Sequence, residues 1–158
     1  YHKVKVDMMA LVEHEVESLN LLVNDTELSV SFHGTDREAL VWVDEGRIKQ
    51  LLQNIFGNSV KYTNSPGEIR VRLGVCRKSK GNKVELVIED SAPGVDEAHL
   101  EKLFDHLYRV EASRNRKTGG SGLGLAICRQ IVLAHEGSID VSPSGLGGLK
   151  FTLCFPLV

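Results

Sequence analysis

Asparagine is a poor helix former, yet two asparagines fall within the most strongly periodic helical segment of this 158-residue chain. Between Arg47 and Val60, the apolar residues Ile48, Leu51, Leu52, Ile55 and Phe56 recur on one helical face. Gln50, Asn54, Asn58 and Lys61 form a second stripe beside it. Amide oxygens aligned in this way can ligate a hard divalent cation, and the ammonium of Lys61 can meet phosphates that the cation carries. A solvated polar face closed by a lysine that the helix dipole favours has the same pattern.

Asp90 ends a run of apolar alternation and precedes Ser91-Ala92-Pro93-Gly94. A carboxylate emerging there, among backbone groups at a sheet end, can accept hydrogen bonds from an amine such as that of adenine. An Asx-turn ahead of Pro93 is the plain alternative. Further on, Gly120-Ser121-Gly122-Leu123-Gly124-Leu125 puts glycine at every second position directly before a helix, so that backbone N–H groups can crowd an anion at the helix N-terminus. The spacing is shorter than the dinucleotide fingerprint, and no Gly-Lys-Ser/Thr follows as in a P-loop. A flexible linker would have the same composition. Arg109, Arg114, Arg116 and Lys117 precede the glycines with only Glu111 to oppose them, and the planar guanidinium fork suits phosphate. Aromatic residues that would stack on bases are not interleaved with these cations, which argues against nucleic acid.

The surrounding pattern supplies the elements that must position these groups. Residues 1–23 carry an irregular amphipathic helix pattern, followed by β-rich stretches at Leu28–Phe32 and Ala39–Val43. After the helix of 47–60, Asn64-Ser65-Pro66-Gly67 makes a turn, Glu68–Val75 alternates as a strand, Lys78–Asn82 reads as a hairpin loop and Val84–Ile88 as the return strand. A short helix is expected at Asp96–Phe104, a long loop at His106–Ser121, a helix at Leu123–Glu136, and strands at Ser138–Val141 and Leu149–Phe155. Together these predict one domain, a two-layer α/β sandwich with helices on one face of a mixed sheet.

Composition fits this reading. The chain is 42% hydrophobic and 25% charged, within the globular range, and a chain of this size buries roughly 70% of its unfolded surface without needing staples. Nineteen Lys and Arg against 21 Asp and Glu leave a net charge of −2, so no whole-molecule field draws nucleic acid or an anionic membrane. No apolar run reaches the about 20 residues of a transmembrane helix. Cys76, Cys128 and Cys154 are widely spaced and read as buried thiols of a reducing compartment. His33, His99 and His106 lack partners at metal-ligand spacing, and His135 falls near a helix C-terminus, where the dipole favours a cation.

In this order, the motifs resemble those of the catalytic and ATP-binding domain of bacterial two-component sensor histidine kinases, over residues 4 to 157. Gln53–Thr63 resembles that family's N box, Asp90–Val95 its first glycine box, Leu103–Arg109 its F box and Gly119–Ile127 its second glycine box. The resemblance implies a Bergerat-type ATP-binding fold, a mixed sheet of about five strands with three helices on one face and a flexible ATP lid at 109–121. It implies that Asn58 ligates Mg²⁺ with Asn54 assisting, that Lys61 meets the phosphates, that Tyr62 packs near the nucleotide and that Asp90 reads the adenine amine. Arg109, Arg114 and Arg116 would approach the terminal phosphates, and Gly120, Gly122 and Gly124 would hinge the lid. Gly94, Phe104, Ser121, Leu123 and Leu125 join the nucleotide site by the same match. Asn54, Asn58, Lys61 and Arg109 form the catalytic set.

Three positions depart from the family pattern. Ala92 replaces the usual first glycine of its box, Leu107 the second Phe of the F box, and Leu149 a Thr that many members use at adenine.

The implied partners are ATP and ADP, a dimerisation and histidine-phosphotransfer domain of the same protein, and indirectly a response regulator, with no nucleic acid or membrane contact. Residues 1–23 would be the remnant of a linker or helix after the dimerisation domain. The fragment would be a cytoplasmic monomer and its parent a homodimer in the bacterial inner membrane. His14-Glu15 shares only its His-Glu with the family's acceptor motif. ATP hydrolysers of the same fold carry a Glu general base one turn before the metal-binding Asn. Here that position is Asn54, which cannot take a proton, whereas a neutral histidine already offers a free nitrogen to a phosphoryl group. A Ser/Thr kinase of the same fold and a degenerate docking module remain the alternatives.

Overall fold

The computed structural model describes residues 1–78, 81–91 and 121–158, and of 78 and 121–125 the backbone alone. The expected helix at Asp96–Phe104 and the loop up to residue 120 lie outside the described residues, as do residues 79–80 of the expected hairpin loop.

The chain opens with strand β1 (Val4–Asp7), not with the helix that its pattern suggests. In this four-residue stretch Val4 and Val6 alternate with Lys5 and Asp7, which satisfies a period of two as well as a helical one, and pairing decides the matter. β1 lies antiparallel to β3 (Leu40–Val43), with Val4 opposite Val43 and Val6 opposite Val41. Asp7 then starts α1 (Met8–Leu22), its side chain accepting a hydrogen bond from Met9 N at 3.0 Å. A carboxylate there satisfies one of the N–H groups that a helix start leaves unpaired.

After β2 (Leu28–His33) and β3, Asp44 caps α2 (Glu45–Tyr62), accepting from Arg47 N at 3.2 Å. Bonds to the backbone of His2 and Arg47 hold the Asp44 carboxyl below the usual carboxylate range. β4 (Gly67–Lys78) and β5 (Gly81–Ser91) form a long hairpin. α3 (Ser121–Ala134), β6 (Ser138–Pro143) and β7 (Gly147–Pro156) complete the described elements.

Five strands make one sheet in the order β2-β4-β5-β7-β6. Among the described strands only β2 and β4 pair in parallel, because the chain between them crosses over through β3 and α2. The described helices pack on one face. Ile69, Val71 and Leu73 of β4, Leu86 and Ile88 of β5, and Phe151, Leu153 and Phe155 of β7 bury there against Val12 and Val16 of α1, Leu51 and Ile55 of α2, and Ile131 and Val132 of α3. Alternate residues turn to the opposite face, where Arg72 pairs with Glu89 at 3.2 Å. The two-layer architecture and the mixed five-stranded sheet are thus as expected. Among the described residues no helix is long and apolar enough to cross a membrane.

α3 begins two residues earlier than its pattern predicts and ends at Ala134. The next turn closes with Glu136 N bonded to Leu133 O and Gly137 N to Val132 O, which places Glu136 at φ 59. This is the left-handed closure that usually recruits glycine. Gly137 answers a different need, since a Cβ there would press on Cys154 O and the Phe155 ring. Of the thiols, Cys128 and Cys154 are buried as expected, but Cys76 is half-buried, near the turn end of the β4–β5 hairpin.

Candidate functional site

α2 is the platform. Its apolar stripe is fully buried from Ile48 to Ile55, which turns the adjacent polar stripe to the rim of the helix layer. Asn54 and Asn58 are half-buried there, and Lys61 and Tyr62 are exposed. The Lys61 ammonium lies 5.3 Å from the Tyr62 ring centroid, within cation–π range.

The apolar stripe carried one turn beyond Phe56 lands on Ser59, which is 2% exposed. Its hydroxyl donates to Asp90 Oδ2 at 3.0 Å. The other carboxylate oxygen, Oδ1, accepts from Leu149 N at 2.9 Å. A break in the β5–β7 register creates this second contact. Glu89 opposes Lys150 and Ser91 opposes Gly147, so Gly148 and Leu149 together face Asp90. Such a bulge turns backbone groups away from the ladder, and here it turns an N–H onto the carboxylate. Gly148 is obligatory, because a Cβ at this position would collide with Asp90 Oδ1 and with the backbone oxygens of Asp90 and Ser91.

Burial pushes the Asp90 carboxyl above the ordinary value of 3.8, against the opposing pull of Leu149 N–H and Ser59. A carboxylate offers about four lone-pair sites. The two described bonds leave capacity for an amine donor.

α2 and α3 run side by side in opposite directions. Asp44 N, at the start of α2, donates to His135 Nε2 at 3.0 Å just past the end of α3. Two turns along, Cys128 Sγ contacts Leu51 O at 3.8 Å and also meets the Asn54 side chain. The same register carried two more turns sets Asn58 level with Ser121, the first residue of α3. The metal-type amides therefore stand beside a helix N-terminus, where backbone N–H groups favour an anion. Burial pushes the Cys128 thiol up to about 12 although Asn54 opposes the shift, so neither neighbour is a base at neutral pH.

His135 is not the dipole-favoured cation that its position near a helix end suggests. It is 2% exposed, and its Nε2 accepts from Asp44 N, so Nδ1 carries the proton and donates to Ile131 O at 2.6 Å. A ring bonded in this way is the neutral tautomer.

Of the expected site residues, the structure gathers Asn54, Asn58, Lys61, Tyr62 and Asp90 around one end of α2, and Ser121, Gly122, Leu123, Gly124 and Leu125 form the first turn of α3. Gly94, Phe104, Arg109, Arg114, Arg116 and Gly120 lie outside the described residues. Ser59 and Gly148 are additional members. The signals for them were a polar residue on the apolar stripe of α2 and a second glycine beside Gly147 opposite Asp90. Asp90 behind a cradle that only glycine leaves open, with half-buried amides beside a helix N-terminus, fits an adenine nucleotide with its phosphates toward α3.

A buried carboxylate at a sheet end, bonded to Ser59 on an amide-bearing helix, is the centre of this site. Residues 43–158 match the family described as histidine kinase-, DNA gyrase B-, and HSP90-like ATPase, and the chain belongs to it. Within that family the chain is a catalytic, ATP-binding domain of the sensor histidine kinase kind. It is 41% identical over 157 residues to the signal transduction histidine-protein kinase BaeS of Escherichia coli K12, covering 99% of this chain and 32% of that protein. The chain thus spans about a third of the relative's length. The nucleotide-free catalytic domain of the histidine kinase ThkA superposes with a TM-score of 0.80 at 25% identity, over 99% of this chain and 96% of that one. Full-length ShkA, solved in complex with AMPPNP, gives a TM-score of 0.77 at 25% identity, over 98% of this chain and 31% of that one.

Proposed function

We propose that this domain binds ATP with Mg²⁺ and presents the γ-phosphate to a histidine on a separate dimerisation and phosphotransfer domain of its parent. Asp90 carries the reading, being buried and pinned through both oxygens with lone pairs to spare. In this role Asp90 accepts the adenine amine, while Asn58, assisted by Asn54, supplies amide oxygens to the cation. Lys61 adds positive charge at the phosphates. Bound Mg²⁺ would neutralise charge on the terminal phosphates during transfer.

The residue one turn before Asn58 decides between transfer and hydrolysis. It is Asn54, half-buried beside a thiol with a pKa of about 12, and neither group can activate water. The phosphoryl group is therefore kept for an acceptor that needs no base, a neutral imidazole. The parent, a homodimer anchored in the bacterial inner membrane with this domain in the cytoplasm, would pass the group on to a response regulator. Its relationship to the named sensor kinases supports this.

Calorimetric titration with ATP, with and without Mg²⁺, followed by a phosphate-release assay, tests the proposal. The expected result is Mg²⁺-sensitive ATP binding with negligible release, and GTP bound poorly. Asn58→Ala should abolish the Mg²⁺ dependence, and Asp90→Asn should weaken ATP and ADP alike. Steady turnover by the wild type would move the chain to the ATPases, and absence of binding would leave it a docking module.

A further inference from the structure

The two helices that converge on the phosphate end of the site are tied together at their far ends. His135 Nε2, just beyond α3, accepts the N–H of Asp44, the residue that caps α2. Nδ1 returns to Ile131 O in the last turn of α3 and fixes the ring in its tautomer. The bond is dry. His135 is buried, the Tyr1 ring stands edge-on to it at 5.3 Å, and Arg47 lies over Tyr1 at 5.7 Å. A second tie, from Cys128 Sγ to Leu51 O, is long at 3.8 Å and uses a weak thiol donor. The adenine end is held differently, by β5, β7 and the Ser59 bond.

Resting on the nucleotide reading above, we propose that His135 is a positioning residue for the phosphate end of the site. It touches no ligand. By joining the α2 cap to the α3 terminus it fixes the lateral placement of two stiff helices, and so the gap between Asn58 and the first turn of α3. Loss of the bond lets α3 shift against α2, which costs phosphate contacts and leaves adenine recognition in place.

The test compares two substitutions. In His135→Asn the shorter amide can still donate to Ile131 O but does not reach Asp44. In His135→Gln the amide oxygen stands about where Nε2 stood and restores the bond between the helices. Affinities for ATP with Mg²⁺ and for adenosine are measured on each, by calorimetry and by NMR titration respectively. His135→Asn should weaken ATP about tenfold, the order of one buried hydrogen bond, with adenosine unchanged, and His135→Gln should recover most of the ATP affinity.

A merely structural histidine would cost both ligands the same factor, and that result overturns the proposal. So does wild-type ATP affinity in His135→Asn, or a His135→Gln that fails as His135→Asn does. A wild-type chain that binds no ATP overturns the nucleotide reading itself, and this inference with it. If His135→Asn does not fold, the wild type still decides. ATP with Mg²⁺ should shift the His135 Nε2 and Asp44 amide resonances while adenosine leaves them in place, and unmoved resonances refute the coupling.

Discussion

Ser59→Ala probes the reasoning behind the Asp90 site directly. The serine hydroxyl reaches Asp90 Oδ2 at 3.0 Å inside the protein, and a hydrogen bond to a charged acceptor contributes about 1.5–3 kcal/mol. Alanine is the better helix former by up to about 0.5 kcal/mol, so the expected net loss at neutral pH is about 1–2.5 kcal/mol. The loss must also depend on pH. The Ser59 bond favours the ionised carboxylate and opposes the upward push of burial, so its contribution is present while Asp90 is ionised and fades as pH falls through the raised folded-state value.

Urea unfolding of wild type and Ser59→Ala at neutral and mildly acid pH reads both effects. The gap should be widest at neutral pH and close toward acid. In an Asp90→Asn background the same serine change should cost much less, because a neutral partner replaces the charged one. A gap below about 0.5 kcal/mol, or one that persists unchanged into acid, would refute the assigned bond.

Other outcomes follow from particular contacts. Asp90→Asn should be at least as stable as wild type at neutral pH, since a carboxylate whose folded pKa is raised costs stability once ionised; urea unfolding across the acid range should show the wild type catching up as pH falls. Gly148→Ala should lower stability by about 1–3 kcal/mol, because the added Cβ meets backbone that cannot move aside; an unchanged melting temperature would contradict the cradle. Glu136→Gly should raise stability by about 0.5–1 kcal/mol by relieving the left-handed residue after α3, as read by thermal unfolding. Native alkylation followed by mass spectrometry should modify half-buried Cys76 first and spare Cys128, which is buried and held near a pKa of about 12.

The sequence made α2 legible because its apolar stripe is long and regular, and Asp90 because a strand visibly breaks there. It hid whatever depends on partners distant along the chain. Residues 4–7 read as helix because four residues cannot discriminate the two periods, and the strand that pairs with them lies some thirty-five residues on. His135 read as a helix-end cation because its partner is Asp44, across the domain. Ser59 was in view as a polar interruption of an apolar face, but only the folded β5 supplies the carboxylate that explains it. The bulge that turns Leu149 N–H onto Asp90 leaves no mark in the sequence beyond a pair of glycines.

Strand β3 is gripped from both ends of the chain. β1 pairs along it, while Leu157 bridges to Val41 and Val158 N donates to Leu40 O at 2.9 Å. For a polypeptide emerging from the ribosome, this makes the second edge of β3 late to close, since its partners at residues 157 and 158 lie far along the chain. Until residues 157 and 158 arrive, the second edge of β3 lacks these partners while Trp42 is exposed on the strand, the kind of surface that chaperones recognise and that aggregation exploits. Trimming the last two residues would thus be felt at the first strand.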